Sequence, residues 1–185
     1  MEQDDIQELI SQSRHGDTRA FEKLVAMFQP LAFRLAFRLL CNGEDAKDVV
    51  QEVFVRAWLQ LGRYNPRYRF STWIYAIAAN MCYDRLRAAK RNPDLGGMSL
   101  DISELKGLIS TEDVESAFVN RELREHILYL TGTLSAKQKI VFMLRDVEGL
   151  EAEEVARVTG LSAGQIKSNL YLARKYIKGR IGEPD

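Results

Sequence analysis

The residues of this chain best suited to chemistry are arginines and aromatics set side by side. From Arg63 to Arg91 it reads RYNPRYRFSTWIYAIAANMCYDRLRAAKR. Its bases are Arg63, Arg67, Arg69, Arg85, Arg87, Lys90 and Arg91, and its only acid is Asp84. Tyr64, Tyr68, Phe70, Trp73 and Tyr75 are interleaved with them. Cations neutralise phosphates, while ring faces and polar pockets receive bases that have left a duplex. The chemistry this pattern serves is recognition of a nucleic-acid strand. The competing reading is structural: Trp73, Ile74 and Ile77 belong to a helix core, and a run of arginines is often only a solvated face. Purity of sign, and the rigid turn signal Asn65-Pro66 at one end, raise the stretch above that reading.

Bond-making chemistry finds no support. His15 and His126 stand far apart without partner patterns, and Cys41 and Cys82 lack metal-ligand spacing. There is no Walker loop and no glycine-rich strand-to-helix turn. The expectation is a protein that is not an enzyme and needs no cofactor.

Helices must position the basic stretch. Residues Asp5 to Arg14 carry Ile6, Leu9 and Ile10 on one side; Gly16 ends that helix, and Asp17 or Thr18 caps the next. Phe21, Leu24, Val25, Phe28, Leu31, Leu35 and Leu39 line the second helix, which Pro30 should kink or split. A third runs from about Glu44 to Leu61, with Val50, Phe54, Trp58 and Leu61 inward and Asp45, Asp48, Gln51, Glu52 and Arg56 opposite. The helix dipole accounts for Glu44 and Asp45. It does not account for Asp48, Gln51 and Glu52 as a polar patch, which reads as a protein-binding surface. Ser71 should then cap a fourth helix with Trp73, Ile74, Ile77, Ala78, Met81 and Leu86 on one face and Asn80, Asp84, Arg87 and Arg91 on the other, stopped by Asn92-Pro93.

Sustained periodicity then lapses. From Asp94 to Glu115 there are six acids and one base, Lys106, with Pro93 and Gly96-Gly97 near the start. This is an acidic linker. Helices resume near Ser110 or Thr111 and run to Thr131-Gly132, and Ser135 caps another with Ile140, Val141, Leu144 and Val147 inward. The segment LEAEEVARVTGLSAGQIKSNLYLARKYIKGR then gives a short helix, a turn at Gly160, a cap at Ser162 and a final helix. That is a helix-turn-helix. Its second helix exposes Gln165, Lys167, Ser168, Tyr171, Arg174 and Lys175, types suited to base edges and phosphates. The plainer alternative is a helical hairpin.

The whole is all-α: two small helical domains, at 1–92 and 112–185, joined by an acidic linker at 93–111. The 185 residues carry 26 bases and 26 acids, so the net charge is zero. The charges are segregated, which fits more than one charged partner. Two cysteines in apolar helical runs fit a reduced interior. An acidic start, Met1-Glu2-Gln3-Asp4-Asp5, is unlike a signal peptide, and no apolar run would span a bilayer, so a cytoplasmic protein is expected.

Three segments resemble a known family in the family's own order. DAKDVVQEVFVRAW, from Asp45 to Trp58, resembles region 2.2 of bacterial extracytoplasmic-function (ECF) sigma factors. FSTWIYAIAANMCYDRLRAAKR, from Phe70 to Arg91, resembles their regions 2.3 and 2.4, and LEAEEVARVTGLSAGQIKSNLYLARKYIK their region 4.2. The resemblance implies a transcription initiation factor that binds core RNA polymerase. Asp45, Asp48, Gln51, Glu52 and Arg56 would dock on the beta-prime clamp, and the C-terminal domain would meet the beta flap. Tyr64, Asn65, Arg67, Arg69 and Phe70, with Asn80, Asp84, Arg87 and Arg91, would hold the −10 element as a melted strand. Gly164, Gln165, Lys167, Ser168, Tyr171, Arg174 and Lys175 would meet the −35 element in the major groove. The linker would run through the polymerase channels, and an anti-sigma factor would be a partner. This chain departs from the family pattern at Asn169 and Leu172, where arginine is frequent, which weakens phosphate contact there.

Two rival readings differ in kind. A self-sufficient helix-turn-helix regulator explains Leu150 to Lys178 equally well, but not the acidic patch or the basic loop. An enzyme acting on nucleic acid would need a metal carboxylate cluster or a His/Cys pair.

Overall fold

The computed structural model describes residues 3–91 and 129–181. The expected linker at 93–111, the restart near Ser110 and His126 lie outside the described residues. The N-terminal part holds α1 (Gln3–Arg14), α2 (Thr18–Leu40), α3 (Gly43–Gln60) and α4 (Phe70–Arg91), with one tight turn at Leu61–Arg63. The described chain resumes on a helical turn at 129–132. It continues through α5 (Ala136–Phe142), a π-helical turn (Met143–Val147), α6 (Ala152–Thr159) and α7 (Ala163–Ile181).

Local chemistry sets most of these boundaries. The Asp17 carboxylate accepts from the backbone of Arg19 and Ala20 at 2.9 and 3.1 Å, starting α2. Asn42 does the same for α3, taking Asp45 N at 3.1 Å. Ser135 and Gln138 close a reciprocal capping box on α5. Gly160, at φ +68°, ends α6 where a side chain would be strained.

Two expectations need correction, and a third loses one of its two alternatives. Pro30 does not split α2, which runs continuously from Thr18 to Leu40; burial of Phe28, Ala32 and Leu35 around it holds the helix together. Ser71 is not the cap of α4. The helix starts two residues earlier than that cap implies, with the Arg69 carbonyl accepting from Trp73 N at 3.3 Å, because Phe70 is already packed in the core. Val147 does not point inward but is 40 % exposed. It ends the π-helical turn, whose wider winding shifts the face that later residues present.

A single apolar cluster runs through the described residues. Leu24, Leu35, Leu39, Val49, Val53 and Ile74 fill its N-terminal half, and Val141, Leu144 and Val155 its C-terminal half. Helix α4 joins the halves: it packs against α2 and α3, and also against α5 and α6. Leu35→Ala should cost about 2–5 kcal/mol, since it leaves a cavity in a site with no exposure. Leu59→Ala, at a side chain 75 % exposed, should stay within about 0.5 kcal/mol. Urea denaturation of the two variants checks the contrast.

Candidate nucleic-acid interface

The loop before α4 is built from within. Tyr68 N donates to Asn65 O at 3.1 Å, and the Asn65 side-chain oxygen accepts from Arg67 N at 3.0 Å, closing a tight turn. Beneath it the Tyr64 hydroxyl donates to Tyr68 O at 2.6 Å and accepts from Gln7 Nε2 at 3.2 Å. The Tyr64 ring packs against Phe70 and Trp73, with centroids 5.3 and 5.5 Å away. Arg14, from α1, donates to the carbonyls of Leu61 and Tyr64.

These contacts divide the expected loop residues in two. Tyr64 and Phe70 are each 3 % exposed, so their rings form the platform and offer no face to a base. Asn65, Arg67 and Arg69 stand exposed above it. Tyr68 is the loop's surface ring, 40 % exposed, and the Arg157 guanidinium lies over it at 4.4 Å. Sequence reasoning did not single it out as a site residue. Asn80, Asp84 and Arg87 are exposed along α4, with Arg87 over the Tyr83 ring at 5.5 Å; Arg91 is the last residue of the helix.

On α3, the side chains of Asp45, Asp48, Gln51, Glu52 and Arg56 are all exposed. Arg56 pairs with Glu52 at 2.7 Å, and Asp45 with Arg85 of α4 at 3.3 Å. The sequence reading missed Val55 and Leu59, which are 58 and 75 % exposed. Asp48, Glu52, Val55 and Leu59 follow at helical spacing, so they form one mixed polar and apolar stripe. The signal was present: α3 has more apolar residues than one inward face can bury.

The final helix opens with a capping box: Ser162 Oγ accepts from Gln165 N at 3.3 Å, and Gln165 Oε1 from Ser162 N at 3.0 Å. Gly164, Gln165, Lys167, Ser168, Tyr171, Arg174 and Lys175 are all exposed on α7. Two of them are already engaged. The Gln165 amide oxygen serves the cap. The Arg174 guanidinium is held in a two-pronged pair by Asp146, at 2.7 and 2.6 Å, a contact that raises its already high pKa.

Where the two halves meet, titratable groups are displaced from their ordinary values. Burial and the hydrogen bond to Glu148 push the Tyr75 hydroxyl above the usual tyrosine range. Burial pushes the Cys82 thiol up to about 12 against the opposing charges of Arg85 and Lys139. Glu154 is pushed up by burial, but the Glu151 backbone, the Thr72 hydroxyl, Arg69 and Arg157 outweigh it and lower its carboxyl overall. Among the described residues no group of His, Cys, Asp and Glu could hold a metal ion. No described helix is long and apolar enough to cross a membrane.

Two family models match the chain. The Sigma-70 region 2 model matches residues 24–92, and the Sigma-70, region 4 model residues 124–177. The chain is 31 % identical over 179 residues to the RNA polymerase sigma-H factor of Pseudomonas aeruginosa, covering 95 % of this chain and 93 % of that one. It is 27 % identical over 183 residues to the ECF RNA polymerase sigma factor SigW of Bacillus subtilis, covering 95 and 96 %. Among solved structures, the fold is similar to CnrH in complex with the cytosolic domain of CnrY, with TM-score 0.67 and 23 % identity over 96 % of this chain and 97 % of that one. It is also similar to the sigma factor RpoE in complex with the anti-sigma factor NepR from Bartonella quintana, with TM-score 0.66 and 19 % identity over 89 and 98 %.

The two neighbouring cations of α7 should behave differently on duplex DNA. Lys175→Ala removes a free charge and should lower the slope of log affinity against log salt by about 0.9 if it meets a phosphate. Arg174→Ala, at a guanidinium Asp146 already neutralises, should change that slope far less. Fluorescence anisotropy across a salt series distinguishes the two.

Proposed function

Because the chain belongs to the extracytoplasmic-function sigma factors, a family of transcription initiation factors that are not enzymes, we propose that it directs core RNA polymerase to promoters by reading a −10 and a −35 element and by holding the −10 strand open. The observation that carries this reading is the loop before α4. Unstacking a base costs a few kcal/mol, so the receiving site has to be formed in advance. Here Asn65, Arg67 and Arg69 stand exposed on a turn that closes on its own hydrogen bonds and is tied through the Tyr68 carbonyl to the hydroxyl of buried Tyr64. Asn65 keeps its amide nitrogen for a base edge, and the two arginines take flanking phosphates. Asn80, Asp84, Arg87 and Arg91 continue the surface along α4.

In this reading α3 docks on the polymerase clamp. Asp45, Asp48, Gln51, Glu52 and Arg56 supply polar register, and Val55 and Leu59 supply apolar area, the composition expected of a protein interface. The helix-turn-helix of α6 and α7 enters the major groove at the −35 element with Lys167, Ser168, Tyr171 and Lys175, while Gly164 and Gln165 start the helix beside the DNA. Arg174 orients α7 through Asp146. The C-terminal domain meets the polymerase flap, and the domains divide at 1–92, 93–111 and 112–185. Action on polymerase places the protein in the cytoplasm. Both similar structures are complexes with a second protein, one of them an anti-sigma factor, which supports an anti-sigma partner here. A self-sufficient helix-turn-helix regulator would leave the α3 stripe without a partner.

Run-off transcription with core polymerase, with and without the protein, on a promoter library tests the reading. Promoter-specific transcripts are expected only when both are present; specific duplex binding without polymerase, and no stimulated transcript, would favour the rival. Asp48→Ala together with Gln51→Ala should weaken association with core by at least about tenfold, roughly 1.4 kcal/mol, while each exposed change costs under about 0.5 kcal/mol of stability. Pull-down of core polymerase at wild-type levels by that double variant would remove α3 from the interface. Asn65→Ala should erase preference at one −10 base and leave −35 preference intact, as read by selection from a randomised library.

A further inference from the structure

Helix α7 presents large apolar side chains among its polar ones. Leu172 is 45 % exposed, and Tyr171 beside it 64 %. Ile166, Ala173 and Ile177 are buried, and Leu170 packs on the core, so these four fix the inward side of the helix. With about 3.6 residues per turn, Ser168 and Lys175 then point away from the core, and Tyr171 and Leu172 stand on the two shoulders beside them. Lys167, Arg174 and Lys178 follow one edge of the same face, below the Tyr171 shoulder. Leu172 lies on the other shoulder, away from that row of cations.

The polar groups around Leu172 are mostly committed within the protein. The Asn169 amide donates to the Gln165 carbonyl at 2.8 Å, folded back on its own helix. The Gln165 side-chain oxygen holds Ser162 N at 3.0 Å, and Asp146 takes both prongs of Arg174. The Ser168 hydroxyl, exposed one turn before Leu172, keeps its donor and its acceptors free among the described residues.

Those commitments decide which base this part of the helix can read. In the major groove adenine shows an acceptor and a donor, guanine two acceptors and cytosine a donor; thymine alone shows a methyl group beside an acceptor. A leucine laid against any of the first three strips water from polar groups it cannot serve, and burial of such a group without a bond is costly. Against thymine it covers the methyl group. Helical side chains lean toward the N-terminus, so Leu172 lies over the turn that carries Ser168, on the same side of α7. The Ser168 hydroxyl is then the donor nearest to thymine O4.

We propose that Leu172 is a specificity-determining residue of α7: it reads the methyl group of one thymine in the −35 element, and Ser168 serves O4 of the same base. The proposal rests on the assignment of α7 to that element. Lysines along the helix hold phosphates and carry no sequence information. Leu172 supplies discrimination that their charge cannot, and because an apolar contact is not screened, this preference persists at salt concentrations that weaken the lysines.

The test is run-off transcription by the full chain with core polymerase, on templates randomised at the −35 element. The wild type should prefer thymine at one position. Leu172→Ala should lose that preference and keep the others, since alanine at an exposed helical site leaves the fold intact. Uracil in place of that thymine removes only the methyl group and should lower wild-type use about fourfold, the fold-change of one buried carbon. Leu172→Ala should use the thymine and uracil templates equally. Ser168→Ala should weaken the preference at the same position and keep the methyl effect; an effect confined to another position would overturn the pairing of Ser168 with O4. Wild-type use unchanged by uracil at every thymine of the element, on either strand, would overturn the reading of a methyl group, as would a Leu172→Ala variant that still distinguishes the two templates. A wild type with base preference at the −35 element and no methyl effect keeps the assignment of α7 and loses this proposal, whereas no preference at that element removes both.

Discussion

Helix α4 has to be held from both sides. Ile74, Ala78 and Cys82 have no exposure, and the helix packs on α2 and α3 as well as on α5 and α6. Adjacent small residues, Ala78 and Ala79, let backbones approach closely on neighbouring faces of one helix. The apolar burial that results is non-directional and fixes no register by itself. Register comes from directional contacts at the ends: the Arg69 carbonyl that receives the first helical bond, and the Asp45–Arg85 pair that ties α4 to α3. The exposed basic and amide groups of α4 are therefore carried on an element with little freedom to rotate.

The two flanks of α4 are joined to it by different physics. Toward α2 and α3 the contact is dominated by Leu35, Leu39, Val49 and Val53, and it costs apolar hydration to open. Toward the C-terminal helices, apolar residues such as Ile140 and Val155 are mixed with Glu148, Lys139 and Glu154. The same helix thus has one flank suited to permanence and one suited to exchange. Surface ion pairs such as Glu52–Arg56 add little to either, being solvated and screened.

Much of this architecture was legible in short sequence signals. Asp17, Asn42-Gly43, Ser135 with Gln138, and Ser162 after Gly160 mark helix ends through bonds confined to a few neighbouring residues, so spacing alone exposes them. The charge separation among α3, α4 and α7 was equally visible. What was not legible depends on residues distant in the chain. Tyr64 and Phe70 differ from Tyr68 only in what lies beneath them, and composition cannot rank members of an interleaved aromatic set. Arg174 looks like any groove-facing cation until Asp146, 28 positions away, is found against it. Pro30 removes one helical hydrogen bond, yet the burial of its neighbours over-determines the backbone. Val55 and Leu59 were absorbed into an apolar arc too wide for one face.

The buried half of the basic loop explains why the exposed half can be specific. A flexible arginine-rich loop binds any phosphate chain, because cation contacts to the backbone carry no sequence information. Discrimination requires Asn65 to sit at one place relative to the flanking cations, and a misplaced amide loses its directional hydrogen bonds. Three separate contacts, from the two helices α1 and α4, remove that freedom. Gln7 from α1 donates to the Tyr64 hydroxyl, Arg14 grips the Leu61 and Tyr64 carbonyls, and Phe70 and Trp73 of α4 wedge the Tyr64 ring. Tyr64 is the one residue common to all three, with its ring in apolar contact and its hydroxyl tied to the carbonyl of Tyr68. A phenylalanine there would keep the packing and lose the tie, leaving the Tyr68 carbonyl to water and the turn to local preference. The tyrosine that looked like a stacking surface is therefore better understood as the part that makes its neighbours' chemistry directional.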